Sequence, residues 1–379
     1  MHNKFIPVCE PLLAGNELKY ITDAVTTGWI SLSGSYLQKF EKAFAEYCGV
    51  QFGVGVCNGT IALHVALKAL GIQEGDEVII PDFTMIASAF AVCYTGAKPV
   101  FIDAERDTWN IDTNKIEEKI TKKTKIIMPV HIFGNMCNMD VIKSLAKKYN
   151  LYVLEDAAEA HGSEYKSKRS GSFSDIAAFS FYANKNLTTG QGGMVVTNDK
   201  KLYNQAKYFK NLCFPLDGIR NYLHDDIGFN YRMSNLHAAI GLAQTEKADY
   251  YRNLRRHNNQ LYKKYLADCE GVIFQKDEEN SLNCNWMNAV LILPEIYGKS
   301  RDDLIFFLKE SNIETRLVFN GMHKQKSLKQ YGCDCSAGYP ITDWLSENGL
   351  YLPSGSGLTE SDIARICDLI ISFRLKKTK

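Results

Sequence analysis

The sequence predicts an α/β protein with a mostly parallel central sheet and a smaller α/β unit at its carboxyl end. Three observations carry that expectation. Between about residues 50 and 156, short β-branched runs alternate with longer stretches of helical periodicity, as in parallel strands covered on both faces by helices. After about residue 235 the alternation gives way to one long amphipathic segment with its charges on one face. Beyond about residue 270, strand and helix patterns return over the last 110 or so residues.

In chain order, "FGVGV" (52–56) reads as a strand and "TIALHVALKALG" (60–71) as a helix stopped by Gly71. "EVIIP" (77–81) reads as a strand, "AFAVCYTG" (89–96) as a helix, "KPVFID" (98–103) as a strand and "NKIEEKI" (114–120) as a helix. "TKIIMPVHI" (124–132) and "LYVLED" (151–156) are strands flanking the helix "MDVIKSLAKKYN" (139–150). "IAAFSF" (176–181) and "GGMVVTN" (192–198) lie close enough for a hairpin or a locally mixed sheet. The segment from Leu236 to Cys269 reads as a helical bridge between domains, followed by the strand "WMNAVLIL" and helices near "RDDLIFFLKESN" and "SDIARICDLIISF". These patterns divide the chain into a large domain with an amino-terminal arm, residues 1–250, and a smaller one, residues 251–379.

Composition narrows the function. Hydrophobic residues make up 45% of the 379 and charged residues 23%, the profile of a soluble globular chain. With 44 basic against 43 acidic side chains, no global field attracts nucleic acid or an anionic membrane. The start of the chain lacks an apolar signal-peptide core, and no run is long enough to span a bilayer, so a cytoplasmic location is expected. Eleven scattered cysteines without a CxxC pair read as reduced thiols, and Cys333 and Cys335 have no partners to complete a metal site.

Three groups fall at strand ends, where ligands collect in such sheets. "CNGT" (57–60) joins a strand to a helix: Gly59 permits close approach, Thr60 offers a hydroxyl, and free helix N–H groups suit a phosphate. A capped helix start without a ligand fits the same four residues. Asp156, at the end of an apolar strand, needs a cation or several donors. A protonated pyridine nitrogen would serve, as would an N-cap or a buried ion pair. His161, five residues on, reads as a structural histidine or as part of the same site. Lys185, between "AFSFYAN" and a glycine cluster, is either a solvated loop charge or a desolvated amine able to condense with an aldehyde. Together they supply what pyridoxal phosphate requires: an anion site, a ring-nitrogen partner and an amine.

The motifs "EDAAEAHG", "SFYANKNLTTGQGGMVVTND" and "GFNYRMSNLHAAIGLAQ", in this order and spacing, resemble the DegT/StrS family of sugar-nucleotide aminotransferases. The likeness runs from "PVCEPLLAGNELKYITDAVTTGWISLSG" to "LYLPSGSGLTESDI". It implies the aspartate-aminotransferase fold, type I of the pyridoxal-phosphate enzymes, a cofactor that alternates with pyridoxamine phosphate, and a homodimer with shared active sites. It makes Lys185 the lysine that bonds the cofactor and moves the proton, Asp156 the partner of the ring nitrogen, and Glu159 a neighbour of the ring hydroxyl. Gly59, Thr60 and Ser180 would hold the phosphate, and Asn230 would reach the cofactor phosphate of the second copy. The residue stacked on the ring is commonly aromatic in the family; here that position is Met85, whose thioether can also pack on a ring face. Trp29 and Ser31 match a loop over the sugar, and Arg316 and His323 match a loop that contacts the sugar nucleotide. The second loop lacks the family's usual proline after its arginine, and "LPSGSG" replaces a version that more commonly contains proline.

Within the family the likeness points to members that move an amino group from glutamate to C4 of a GDP-linked 4-keto-6-deoxyhexose. UDP- or dTDP-linked sugars and amination at C3 are the alternatives. Family dehydratases carry histidine where this chain has Lys185, and a non-catalytic regulatory homologue would have lost Lys185 or Asp156. A dinucleotide oxidoreductase is disfavoured, because no GxGxxG follows the first strand.

Overall fold

The computed structural model describes residues 4–217 and 222–375. Helices α1 (Glu17–Thr26) and α2 (Ser35–Cys48) precede β1 (Phe52–Val56), α3 (Gly59–Ala69), β2 (Glu77–Pro81), α4 (Ala87–Cys93), β3 (Lys98–Ile102), β4 (Thr124–Ile127), α5 (Met139–Tyr149) and β5 (Tyr152–Asp156). The two-residue strands β6 (Glu164–Tyr165) and β7 (Lys168–Arg169) lead to β8 (Ile176–Ser180), β9 (Gly193–Thr197), α6 (Lys200–Lys210), α7 (Asn235–Glu246) and α8 (Ala248–Tyr265). The carboxyl part holds β10 (Val272–Phe274), β11 (Ser281–Leu282), β12 (Asn288–Ile292), α9 (Pro294–Tyr297), α10 (Arg301–Glu310), β13 (Arg316–Leu317), α11 (Lys326–Tyr331), α12 (Pro340–Asn348), β14 (Gly349–Leu352) and α13 (Glu360–Leu375).

Seven strands form the large sheet in the order β1-β9-β8-β5-β4-β2-β3. Their apolar runs are unbroken because both faces are covered, and alternate side chains enter two separate cores. Ile79, Ile127, Val153, Ala177 and Phe179 point to one core, while Val78, Ile80, Ile126, Leu154, Ile176 and Ala178 point to the other. All neighbours pair in parallel except β9, which runs antiparallel to both β8 and β1. The sheet is therefore locally mixed at the segment that carries Lys185, as the short spacing predicts.

A second, antiparallel sheet has the order β10-β12-β14-β13 and packs with α8, α10 and α13 around a third core that includes Tyr262, Val290, Leu308 and Ile366. A fourth core, with Phe83, Phe133, Trp286 and Tyr351 at its centre, lies where the two sheets meet. Strands β11, β6 and β7 make a small third sheet.

Three elements differ from expectation. "NKIEEKI" forms two single 3₁₀ turns, Thr113–Lys115 and Glu117–Lys119: the Asp112 carboxylate accepts the Asn114 N–H at 3.1 Å at the start, and the chain is extended again at Ile120 (ψ 125°), which packs with Ile116 on the first core. "TKIIMPVHI" stops as a strand at Ile127, two residues before Pro129, which has no N–H to give a ladder. The segment after residue 235 is two helices broken at Lys247, close to where the Thr245 hydroxyl bonds back to the Gly241 carbonyl at 2.8 Å and bends the chain. Among the described residues no helix is long and apolar enough to cross a membrane, and the eleven cysteines are free thiols.

Candidate active site

The corner between β1 and α3 is set by Asn58, which is extended (φ −166°, ψ 171°) and caps the helix by accepting the Ile61 N–H at 3.0 Å. In the first turn the N–H groups of Gly59 and Thr60 have no acceptor within the helix and sit at its positive end. Glycine is obligatory at 59, because a Cβ there would stand 2.6 Å from the Ser180 Cβ. Gly193 is equally constrained, with the Asn58 carbonyl oxygen 2.3 Å from where its Cβ would be. The ends of β8, β9 and the start of α3 thus touch through their main chains, leaving a narrow polar corner suited to a compact anion.

That corner is one end of a cavity of about 680 Å³, large enough for a cofactor. Asp156, at the carboxyl end of β5, is 4% exposed. Its carboxylate accepts the Ser88 hydroxyl at 2.7 Å and the Ala158 N–H at 3.2 Å. Burial nevertheless raises its pKa above the usual carboxylate value, against the pull of those donors and of Lys185. A carboxylate in this state gains from one more cationic or N–H donor within the cavity.

Lys185 follows β8 and projects its amine into the same space. Its Nζ lies 4.0 Å from Glu159 Oε1 and 3.6 Å above the centre of the Trp286 ring. Burial lowers the Lys185 pKa even though Glu159 and Asp156 draw it upward, and burial raises Glu159 to about 7. Both shifts run toward the neutral form of the pair, the direction that carbonyl chemistry at the amine needs. Glu159 is oriented by the Phe133 N–H, which donates to its Oε2 at 2.7 Å. Phe133 reaches that position with φ at 57°, an uncommon backbone for a bulky residue.

His161 lies outside this polar line. It packs with Phe44, Phe179 and Phe181 at ring-centre distances of 6.0, 5.4 and 5.1 Å, and burial lowers its pKa to about 3. Both of its ring nitrogens are buried without a hydrogen-bond partner.

Of the residues singled out from sequence, Gly59, Thr60, Met85, Asp156, Glu159, Ser180, Lys185 and Arg316 line the cavity. Met85 is half exposed at its mouth, and Arg316 is held at 3.1 Å by Glu314. Trp29, Ser31, Asn230 and His323 do not line it within this single chain. The carbonyls of Trp29 and Ser31 accept the Asn235 side-chain and backbone N–H groups at 2.5 and 2.7 Å, and Gly34 packs against the same asparagine. Asn230 is exposed and accepts Arg232 Nε at 2.9 Å. His323 is clasped between carboxylates, with Nδ1 at 2.6 Å from Asp82 and Nε2 at 3.2 Å from Asp343, and stacks on Tyr339.

Trp286, Tyr182, Gln191 and the Asp156 donor Ser88 were not singled out from sequence. Tyr182 and Gln191 stand within the motif around Lys185 without a residue pattern that marks their own role, and Trp286 and Ser88 stand in no such motif. Asn58 did carry a signal, since an asparagine before a glycine and a helical run is a capping pattern.

The donor set fits pyridoxal phosphate: a main-chain anion corner admitting only glycine, a buried carboxylate for a ring nitrogen, and a desolvated amine for an aldehyde. Residues 11–371 match the DegT/DnrJ/EryC1/StrS aminotransferase family. The chain is 45% identical over 370 residues to a GDP-perosamine synthase of Escherichia coli O157:H7, covering 98% of this chain and 99% of that one. It is 43% identical to a GDP-perosamine synthase of Caulobacter vibrioides, covering 95% and 96% of the two chains. A crystal structure of S. venezuelae DesV in complex with a ketimine intermediate superposes with a TM-score of 0.91 at 30% identity, covering 99% of this chain and all of that one. The architecture is the aspartate-aminotransferase fold, type I of the pyridoxal-phosphate enzymes, with a mostly parallel central sheet. The matched length, the three site groups and this fold agree: the chain belongs to the DegT/DnrJ/EryC1/StrS aminotransferase family.

Proposed function

We propose that this chain transfers the amino group of L-glutamate to C4 of GDP-4-keto-6-deoxymannose, giving GDP-perosamine for a surface polysaccharide, with pyridoxal phosphate as cofactor. The observation that carries the reaction class is the meeting of Lys185, Asp156 and the Gly59–Ser180 corner in one cavity. The choice of sugar is supported by the names of two relatives at 45% and 43% identity.

When bound, the cofactor supplies an aldehyde that carries the amino group between substrates and a ring that withdraws electrons from the reacting carbon. The chain supplies the rest. Gly59 and Thr60 N–H groups and the Ser180 hydroxyl would hold the phosphate. Asp156, kept in place by Ser88 and Ala158, would hold the proton on the ring nitrogen. Lys185 would hold the aldehyde carbon, and its amine, once free, would hold and move the proton at the reacting carbon: off C2 of glutamate, and onto C4 of the sugar. Glu159 stands beside that amine and can share its proton, since burial places its pKa at about 7. Met85 would pack its thioether on the ring face. Arg316 offers a fork for the nucleotide diphosphate.

We further propose a homodimer with shared active sites. Met85, Tyr94 and Tyr182 line the cavity yet are 49%, 59% and 48% exposed, and Trp29 is 56% exposed nearby in sequence to α1. A second copy would cover them, bring Asn230 to the neighbouring phosphate, and place Trp29, Ser31 and His323 where the sugar nucleotide binds.

Incubation with glutamate and a panel of GDP-, UDP- and dTDP-linked 4-keto-6-deoxyhexoses, followed by 2-oxoglutarate release, tests the substrate. Turnover should be fastest with the GDP sugar, and equal inactivity on every sugar in the panel would overturn the assignment. Borohydride should fix the cofactor covalently to Lys185 in the wild type, and Lys185→Ala should neither be labelled nor turn over.

A further inference from the structure

Arg255, in the middle of α8, is a fully charged side chain only 2% exposed. Its acceptors are the Ser356 hydroxyl at 2.9 Å, the Trp286 carbonyl at 3.0 Å, the Ser354 carbonyl, the Asn184 carbonyl at 3.4 Å and the Cys9 sulfur at 3.2 Å. None of these is a carboxylate. A buried guanidinium served this way contributes little to stability that an apolar side chain of similar size would not. Its partners are more telling. Asn184 is the residue before Lys185, and its carbonyl also accepts the Trp286 indole N–H at 2.9 Å and the Cys9 thiol at 3.4 Å. Trp286 is the ring over which the Lys185 amine stands at 3.6 Å. One guanidinium therefore grips both the peptide that carries the lysine and the main chain of the residue beneath its amine. It also joins them to the amino-terminal arm through Cys9 and to the turn after β14 through Ser354 and Ser356.

We propose that Arg255 is a positioning residue for Lys185, acting through the Asn184 carbonyl and Trp286 to fix where the lysine amine stands in the cavity. The inference rests on the assignment of Lys185 above. Lysine has four rotatable side-chain bonds, and an amine allowed to swing gives up the alignment that proton transfer needs, where a misplacement of about 1 Å costs on the order of a hundredfold. A lysine at 255 would keep the charge but lose the planar fork that reaches five acceptors at once.

The test uses the dimeric full-length protein, with and without pyridoxal phosphate, as wild type, Arg255→Lys and Trp286→Phe. In the cofactor-free protein, competitive acetylation of Lys185 is followed against pH by mass spectrometry. Both variants should move the labelling midpoint of Lys185 upward by about one pH unit, toward that of a solvated lysine. In the loaded enzyme kcat should fall roughly tenfold to a hundredfold, with less than about threefold change in cofactor affinity. Trp286→Phe keeps an aromatic ring beneath the amine while removing the indole donor to Asn184, so it reports even if Arg255→Lys does not fold. Unchanged labelling in Trp286→Phe, or in an Arg255→Lys that merely melts earlier, would overturn the proposal. Failure of the Lys185 assignment would be seen separately, as retained turnover in Lys185→Ala.

Discussion

The two walls of the cavity are built on different terms. On the sheet side, Asp156, Glu159 and Ser180 are nine-tenths or more buried, and each is fixed by bonds to residues distant in sequence, such as Ser88 and Phe133, or by main-chain contact with Gly59. Toward solvent, Met85 and Tyr182 are half exposed and Arg316 is exposed, its guanidinium paired with Glu314, two residues away. The first wall is organised by the fold before anything binds. The second is organised by what binds, so changes there should alter substrate affinity while changes on the sheet side should alter the chemistry itself.

The largest separation between the walls is expected from Asp156→Asn. Removing the buried charge should lower kcat on the order of a hundredfold with both glutamate and the keto sugar, and stopped-flow absorbance should show both half-reactions slowed alike. Arg316→Ala should act more weakly and on one half only. It should raise KM for the sugar nucleotide by roughly tenfold, leaving the rate with glutamate unchanged in single-turnover assays. Equal loss in both halves would place Arg316 on the chemical side and erase the contrast. The smallest effect is a pH dependence of stability. Burial lifts Glu159 from 4.5 to about 7, so its protonated carboxyl favours the cofactor-free fold. That contribution is complete below about pH 4.5 and is lost as pH rises through about 7. Thermal melts should show the wild type losing stability relative to Glu159→Gln across that window, and parallel curves would remove Glu159 from the pre-organised wall.

The same contrast decides what was legible in the sequence. Strands such as "EVIIP" and "LYVLED" are readable because burial on both faces demands unbroken apolar runs, and the polar residue that ends such a run stands out. Asp156, Lys185 and Gly59–Thr60 are visible for that reason. β11 and β13 have two residues each and no run to read, and the break at Lys247 depends on a threonine bonding back within its own helix. Trp286 and Arg255 were silent because their meaning lies in contacts with residues 71 to 102 positions away. His323 carried a motif, yet its place between Asp82 and Asp343 is set only by folding.

The reversed strand β9 has a further effect on how such a chain can diversify. Both legs of the Lys185 connection are hydrogen-bonded where they leave the sheet, Phe181 N–H to the Gly192 carbonyl at 2.8 Å and Thr189 N–H to the Phe181 carbonyl at 2.9 Å. A one-residue slip of the β8–β9 register would break these bonds and turn every side chain of one strand to the opposite face. The two ends of the Lys185 connection are therefore tied to the sheet register. On the site proposed above, new sugar specificities would be written away from this register, in the turn carrying Trp29 and the segment after Arg316.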